Sequence, residues 1–217
     1  MGRLPFGPDG RFGLWEGNIW SAGCSQHFAD AYAFSHIIHG MAFYFLLWLV
    51  ARRAPVSARY LCAVLLEAGW ELLENSPLII NRYRESTMAL GYAGDSILNS
   101  TSDLLMMSLG FVLAWKLRPA VTVALVLAME IGCLFWIRDN LTLNVIMLVH
   151  PIEAVKRWQM EGNPASGTVP SAFLPETDHA RAPSRIRAVP PPPAGDRFCV
   201  FLRGEKPGSH HTAVARI

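Results

Sequence analysis

Apolar residues gather in four long blocks along the 217-residue chain, and the polar residues inside those blocks recur at helical spacing. The blocks are 33–51 (AFSHIIHGMAFYFLLWLVA), 60–80 (YLCAVLLEAGWELLENSPLII), 94–117 (GDSILNSTSDLLMMSLGFVLAWKL) and 119–137 (PAVTVALVLAMEIGCLFWI). Each is long enough to cross a hydrocarbon layer of about 30 Å as a helix. The pattern predicts an all-α, polytopic membrane bundle of about four transmembrane helices. Beyond it, Leu141–Val149 is too short to span, Pro151 interrupts the run, and Ile152, Val155 and Trp158 recur at helical spacing. That predicts a C-terminal amphipathic stretch at the interface. The expected organisation is an amino-terminal extramembrane segment over 1–32, a transmembrane helical domain over 33–159 and a Pro-rich disordered tail over 160–217.

The second block carries the sharpest signal. Glu67, Glu71 and Glu74 fall at i, i+4 and i+7, within an arc of roughly 60° on one helix face. An ionised carboxylate at the bilayer centre costs about 2.5–3.5 kcal/mol on insertion scales. Such a stripe requires a protein interior or a wet cavity in front of it.

Composition fits this picture. The chain is 52% hydrophobic and only 17% charged, and its net charge of +2 gives no reason to expect nucleic acid. The cysteines Cys24, Cys62, Cys133 and Cys199 form no CxxC pair. Cys62 and Cys133 read as small core residues, and a Cys24–Cys199 disulfide is open only if both face an oxidising compartment. The first apolar run starts near Ala33, too late for a usual secretory signal. Neither HExxH nor a Gly-x-Ser-x-Gly elbow occurs.

Basic residues set an orientation. Arg52, Arg53 and Arg59 lie between blocks one and two, and Lys116 and Arg118 flank the junction of blocks three and four. The positive-inside rule puts both loops in the cytoplasm, although Arg82 and Arg84 in the outer 81–93 loop oppose it. Under that topology the polar residues of every block fall in its outer half. His36 and His39 descend from the surface, Glu71 and Glu74 approach it, Asp95, Asn99 and Asp103 descend again at i, i+4 and i+8, and Arg138 and Asp139 end block four. The arrangement predicts an outward-facing polar cavity, with Glu71, Glu74, His36 and Asp95 as candidate catalytic residues. His39, Arg82, Asn99, Asp103, Arg138 and Asp139 are candidate binding residues. Carboxylate and imidazole together suit a divalent metal such as zinc or manganese. Each residue also has a structural reading: interhelical hydrogen bonding for the glutamates and histidines, helix capping for Asp95, and interfacial anchoring or lipid-phosphate contact for Arg82.

The phrases SQHFADAYAFSHIIHG (25–40), EAGWELLENSPLIINRYR (67–84), GDSILNSTSD (94–103) and IRDNLTLNVIMLVHPIEA (137–154) closely resemble a bacterial membrane-protein family without an assigned activity. This is uncharacterised protein family 0314, the domain of unknown function 2585. The resemblance covers about residues 14–160 and implies a multi-pass protein of the bacterial inner membrane. Members of that family usually begin with another hydrophobic segment and stop shortly after the equivalent of Trp158. The resemblance therefore implies that the chain is shortened or its start misassigned, and that the Pro-rich tail is extra. A fainter likeness is to VanZ-like membrane proteins, whose outline of a membrane Glu, a following Arg and D-x-x-x-N is met by Glu71 or Glu74, Arg82 and Asp95–Asn99. Three functions remain in view: binding or processing of a lipid or envelope precursor in the cavity, a small proton-coupled transporter, and a structural or assembly subunit without catalysis. The bilayer is an expected partner, nucleic acid is not, and protein partners are left open.

Overall fold

The computed structural model of the chain describes residues 2–7 and 10–164, all within one compact unit. The expected tail disorder beyond Pro164 and the expected state of Cys199 lie outside the described residues. Among the described residues seven helices follow in order: α1 (Ala33–Val50), α2 (Val56–Glu74), α3 (Pro77–Ser86), α4 (Ile97–Lys116), α5 (Pro119–Ile137), α6 (Leu141–Val149) and α7 (Glu153–Met160). Two-residue strands, β1 (Trp15–Glu16) and β2 (Ala29–Asp30), pair in parallel ahead of α1.

The second apolar block is two helices, which corrects the single element expected over 60–80. Asn75 and Ser76 leave the helical path, the Ser76 hydroxyl accepts from the Ile79 N–H, and Pro77 opens α3. A serine cap followed by proline at the first helical position is a strong start signal. The helix of the third block, α4, begins at Ile97, not at Gly94, because Ser96 caps it by accepting from Asn99 N at 3.1 Å. The capping reading of Asp95 is therefore replaced by Ser96. Leu4 and Pro5 carbonyls accept from Ile97 and Leu98, so the amino-terminal segment satisfies the remaining donors of that turn. Between α5 and α6, Glu130 accepts from Leu141 N and Thr142 N, and Asn140 accepts from Leu143 N.

Among the described residues three helices, α1, α4 and α5, are long and apolar enough to cross a membrane. This is compatible with a membrane protein. The expected fourth span, α2, has the length at 19 residues but carries Arg59, Glu67, Glu71 and Glu74. Its polarity is inverted relative to a soluble helix. Arg59, Glu67 and Glu71 are buried, while Leu61, Leu65, Leu66 and Leu72 are exposed. Arg59, expected in a loop, lies in the first turns of α2 with its guanidinium 5.7 Å from the centre of the Tyr44 ring.

The tightest contact joins α1 to α4. A side-chain carbon at Gly40 would overlap the Met107 carbonyl, and one at Gly110 would overlap the Ile37 carbonyl, so the two backbones touch. In a bilayer, where there is no hydrophobic drive between helices, close van der Waals packing of this kind would hold them. Below the crossing, Ala63 of α2 and Met107 and Phe111 of α4 are fully buried, with Tyr44 edge-on to Phe111. Helix α5 sits at the periphery. It exposes Val123, Leu127, Ile131 and Phe135 and buries Cys133 and Ile137 against Ala31. Cys62 faces outward, which corrects the expectation of a core cysteine, whereas Cys133 is buried as expected.

Candidate functional site

One turn apart on α1, His36 and His39 point at the glutamate face of α2. The close α1–α4 crossing brings Asp103 of α4 to the other side of the His36 ring. His36 Nδ1 lies 2.6 Å from Glu67 Oε1, and His39 Nδ1 lies 3.1 Å from Glu67 Oε2. Glu67 is completely buried and bridges both imidazoles. His36 Nδ1 is also 3.7 Å from Glu71 Oε1, and its Nε2 is 3.8 Å from Asp103 Oδ1. Both Glu71 carboxylate oxygens are buried and have no hydrogen-bond partner among the described residues.

A second polar group adjoins the first through the break between α2 and α3. The Asn75 amide donates to the Glu71 carbonyl at 3.0 Å and to Asp95 Oδ2 at 2.8 Å, and its Oδ1 accepts from Asp95 N at 2.7 Å. The Tyr92 hydroxyl donates to both Asp95 oxygens. Burial pushes the Asp95 carboxyl above the usual aspartate range, against the pull of the Asn75 and Tyr92 hydrogen bonds. Arg3 closes this side, donating to the Ala93 and Asn75 carbonyls. Glu74, half-buried, lies beside the Tyr83 hydroxyl.

The structure thus brings His36, His39, Glu71, Asp95 and Asp103 into one neighbourhood. Asn99 has a local part, donating its side-chain amide to the His27 carbonyl at 3.0 Å. Arg82 and Arg138 are elsewhere. Arg82 donates to the Leu148 and Val149 carbonyls at the end of α6. Arg138 ends α5 in a left-handed turn and donates to the Trp158 carbonyl, with Glu161 3.7 Å away. Asp139 is a buried tie-point that accepts from Tyr32, Asn140 and Gln159. Burial raises its carboxyl to about 6. The sequence reading left Glu67, Asn75, Tyr92 and Arg3 out of the candidate set. Glu67 was visible in the stripe. Asn75 lies eight residues further along the same face, but its role depends on the helix ending there.

A cavity of about 1100 Å³ opens beside this cluster. Its lining includes the polar groups of His36, His39, Glu74, Asp95, Asp103 and Asp139 and the apolar side chains of Phe43, Leu66, Trp70, Leu73 and Leu90. Glu67 and Glu71 stand behind that wall. Two sets present ligand atoms within 4.8 Å of one another, His36–His39–Glu67 and His36–Glu71–Asp103. The cluster offers acid/base groups and metal donors in a place shielded from water.

Residues 1–161 match the family described as "Protein of unknown function (DUF2585)". A UPF0314 protein of Rhizobium etli (strain CFN 42) is 55% identical over 159 residues, 73% of this chain and 82% of the relative. A UPF0314 protein of Sphingopyxis alaskensis is 54% identical over 166 residues, 75% of this chain and 86% of the relative. One from Paracoccus denitrificans is 50% identical over 159 residues, with 73% and 82% covered. No solved structure matches the chain.

Proposed function

The chain belongs to the DUF2585 family of proteins of unknown function, and we propose that it binds an amphiphile, a lipid or envelope precursor, in an intramembrane cavity open to the outer side of the bacterial inner membrane. The observation that carries this reading is the mixed cavity wall, which combines carboxylates and imidazoles with Phe43, Leu66, Trp70 and Leu73. A molecule with a polar head and an apolar chain could use both kinds of lining. The volume, about 1100 Å³, suits a ligand of that size class. In this reading α2 is the fourth span, with Leu61, Leu65 and Leu72 in lipid, Leu66, Leu73 and Glu74 at the cavity, and Glu67 and Glu71 behind its wall. His36, Glu74 and Asp95 meet the polar head, and Glu71 stands behind His36 as a proton store or ligand.

The test is lipid analysis of protein purified in mild detergent. One lipid class should be enriched over its share of the source membrane. Gly69 lines the cavity, and a side chain there would meet open space, so Gly69→Trp should fill the cavity without touching the acidic cluster. That variant should lose the enrichment while keeping its helical content. A wild-type lipid profile equal to that of the bulk membrane overturns the reading.

A further inference from the structure

We infer that His36, Glu71 and Asp103 form a binding site for a divalent transition-metal ion, with Glu67 fixing the His36 ring from behind. The inference deepens the reading above, because the ion would sit at polar groups lining the same cavity.

The geometry separates the two candidate ligand sets. At 2.6 Å, His36 Nδ1 and Glu67 Oε1 are in direct hydrogen-bond contact, and no ion fits between them. That contact makes Nδ1–H the donor and leaves Nε2 with its lone pair free. Nε2 faces Asp103 Oδ1 at 3.8 Å, beyond hydrogen-bond length. Metal bonds of about 2.0–2.2 Å place neighbouring tetrahedral ligands roughly 3.4 Å apart, so a small closure of this gap would seat an ion. Glu71 supplies the third donor, since both its oxygens are buried and unbonded among the described residues. Its Oε1 reaches the ring nearest Nδ1, at 3.7 Å, and its ligand atom lies within 4.8 Å of those of His36 and Asp103. A side-chain rotation toward the Nε2 side would complete the set. A carboxylate on the far nitrogen of a metal-bound histidine is the usual orienting partner, and Glu67 occupies that position.

Charge points the same way. Burial disfavours a bare carboxylate charge, and a cation on Glu71 and Asp103 would stabilise their ionised forms as it displaced their protons. One imidazole and two carboxylates suit zinc or manganese. His36 and Asp103 line the cavity, so the positions left open on the ion would face whatever polar group enters it.

The experiment takes the full chain in detergent, strips it with a chelator, equilibrates it with Zn²⁺ or with Mn²⁺, and measures bound metal by mass spectrometry. One ion per folded chain is expected. Asp103→Asn and Glu71→Gln should abolish stoichiometric uptake, and Glu67→Gln should weaken it by about 10–100-fold. His39→Gln should retain the ion. Helical content by circular dichroism identifies any variant that fails to fold, and chelation and return of metal to the wild type then decides alone. No stoichiometric uptake of either ion by folded wild-type protein overturns the inference. So does uptake that survives both Asp103→Asn and Glu71→Gln, or uptake lost in folded His39→Gln. Lipid enrichment without metal defeats this inference and leaves the amphiphile reading standing. Metal without lipid enrichment does the reverse.

Discussion

Glu67 contacts both imidazoles, whereas Glu71, one turn further along α2, has two buried oxygens without a hydrogen bond among the described residues. Their isosteric variants should diverge. Glu67→Gln removes the charge that orients two rings, and it should lower the thermal midpoint of metal-free protein in detergent. Glu71→Gln removes a carboxylate with no hydrogen-bond partner, and it should leave that midpoint unchanged or higher. If Glu71 works on a ligand, the same variant should fail to rescue a gene-deletion phenotype although it is folded and inserted. Full rescue would remove Glu71 from any working role. Asp139 gives a pH signature. Its carboxyl is raised from an ordinary 3.8 to about 6, so the folded state holds the proton more tightly than the unfolded state. The stability this gives is complete below about pH 4 and is lost as pH rises through about 6, a change on the order of 3 kcal/mol. Asp139→Asn keeps an acceptor oxygen and should remove that component from the thermal midpoint against pH. The glutamate stripe was legible because helical spacing alone puts three carboxylates on one face. Which glutamate meets the histidines was not, because that depends on the axial register between α1 and α2, which no residue within either helix encodes.

Where α1 and α4 cross, glycine matters for its missing carbon. Gly40→Ala would drive a methyl into the Met107 carbonyl, and Gly110→Ala into that of Ile37. Each should cost about 1–3 kcal/mol through overpacking, and the two together should break the crossing that positions Asp103. Gly132 on α5 has open space around it, so Gly132→Ala should be neutral or gain up to about 1 kcal/mol from helix propensity. Equilibrium unfolding in detergent orders the variants, and equal effects at Gly40 and Gly132 would refute the close-packing account. At this scale hydropathy blocks located the long helices to within a few residues. They missed the break at Asn75 and Ser76 because leucine and isoleucine continue through it. The Asn-Ser-Pro run was the readable sign, since serine followed by proline starts a helix more readily than it continues one. Cys62 was misjudged for a related reason. In an α2 with buried glutamates and exposed leucines, an apolar neighbourhood marks the outside, so hydropathy no longer identifies the core.

For the whole molecule, the status of α2 decides which side every loop faces. If only α1, α4 and α5 cross, the segment from Arg52 to Ser96 stays on one side and the Lys116–Arg118 junction lies on the other. One of the two basic loops would then face outward, against the positive-inside bias. If α2 crosses as well, both basic loops share the inner side, while α3 and the 87–96 loop, with Asp95, face out. Nineteen residues of α2 extend about 28 Å, close to the thickness of the hydrocarbon layer. Its exposed leucines would be costly in water, and its buried glutamates are shielded from lipid by α1 and α4. Four crossings are therefore expected. Reporter fusions within 52–55, within 87–93 and at 117–118 should read cytoplasmic, periplasmic and cytoplasmic in turn. A 117–118 reporter on the side opposite to 52–55 would show three crossings. The starts of α1 and α4 would then lie on opposite sides, against the 3.8 Å approach of His36 to Asp103, so that result would refute the acidic cluster itself.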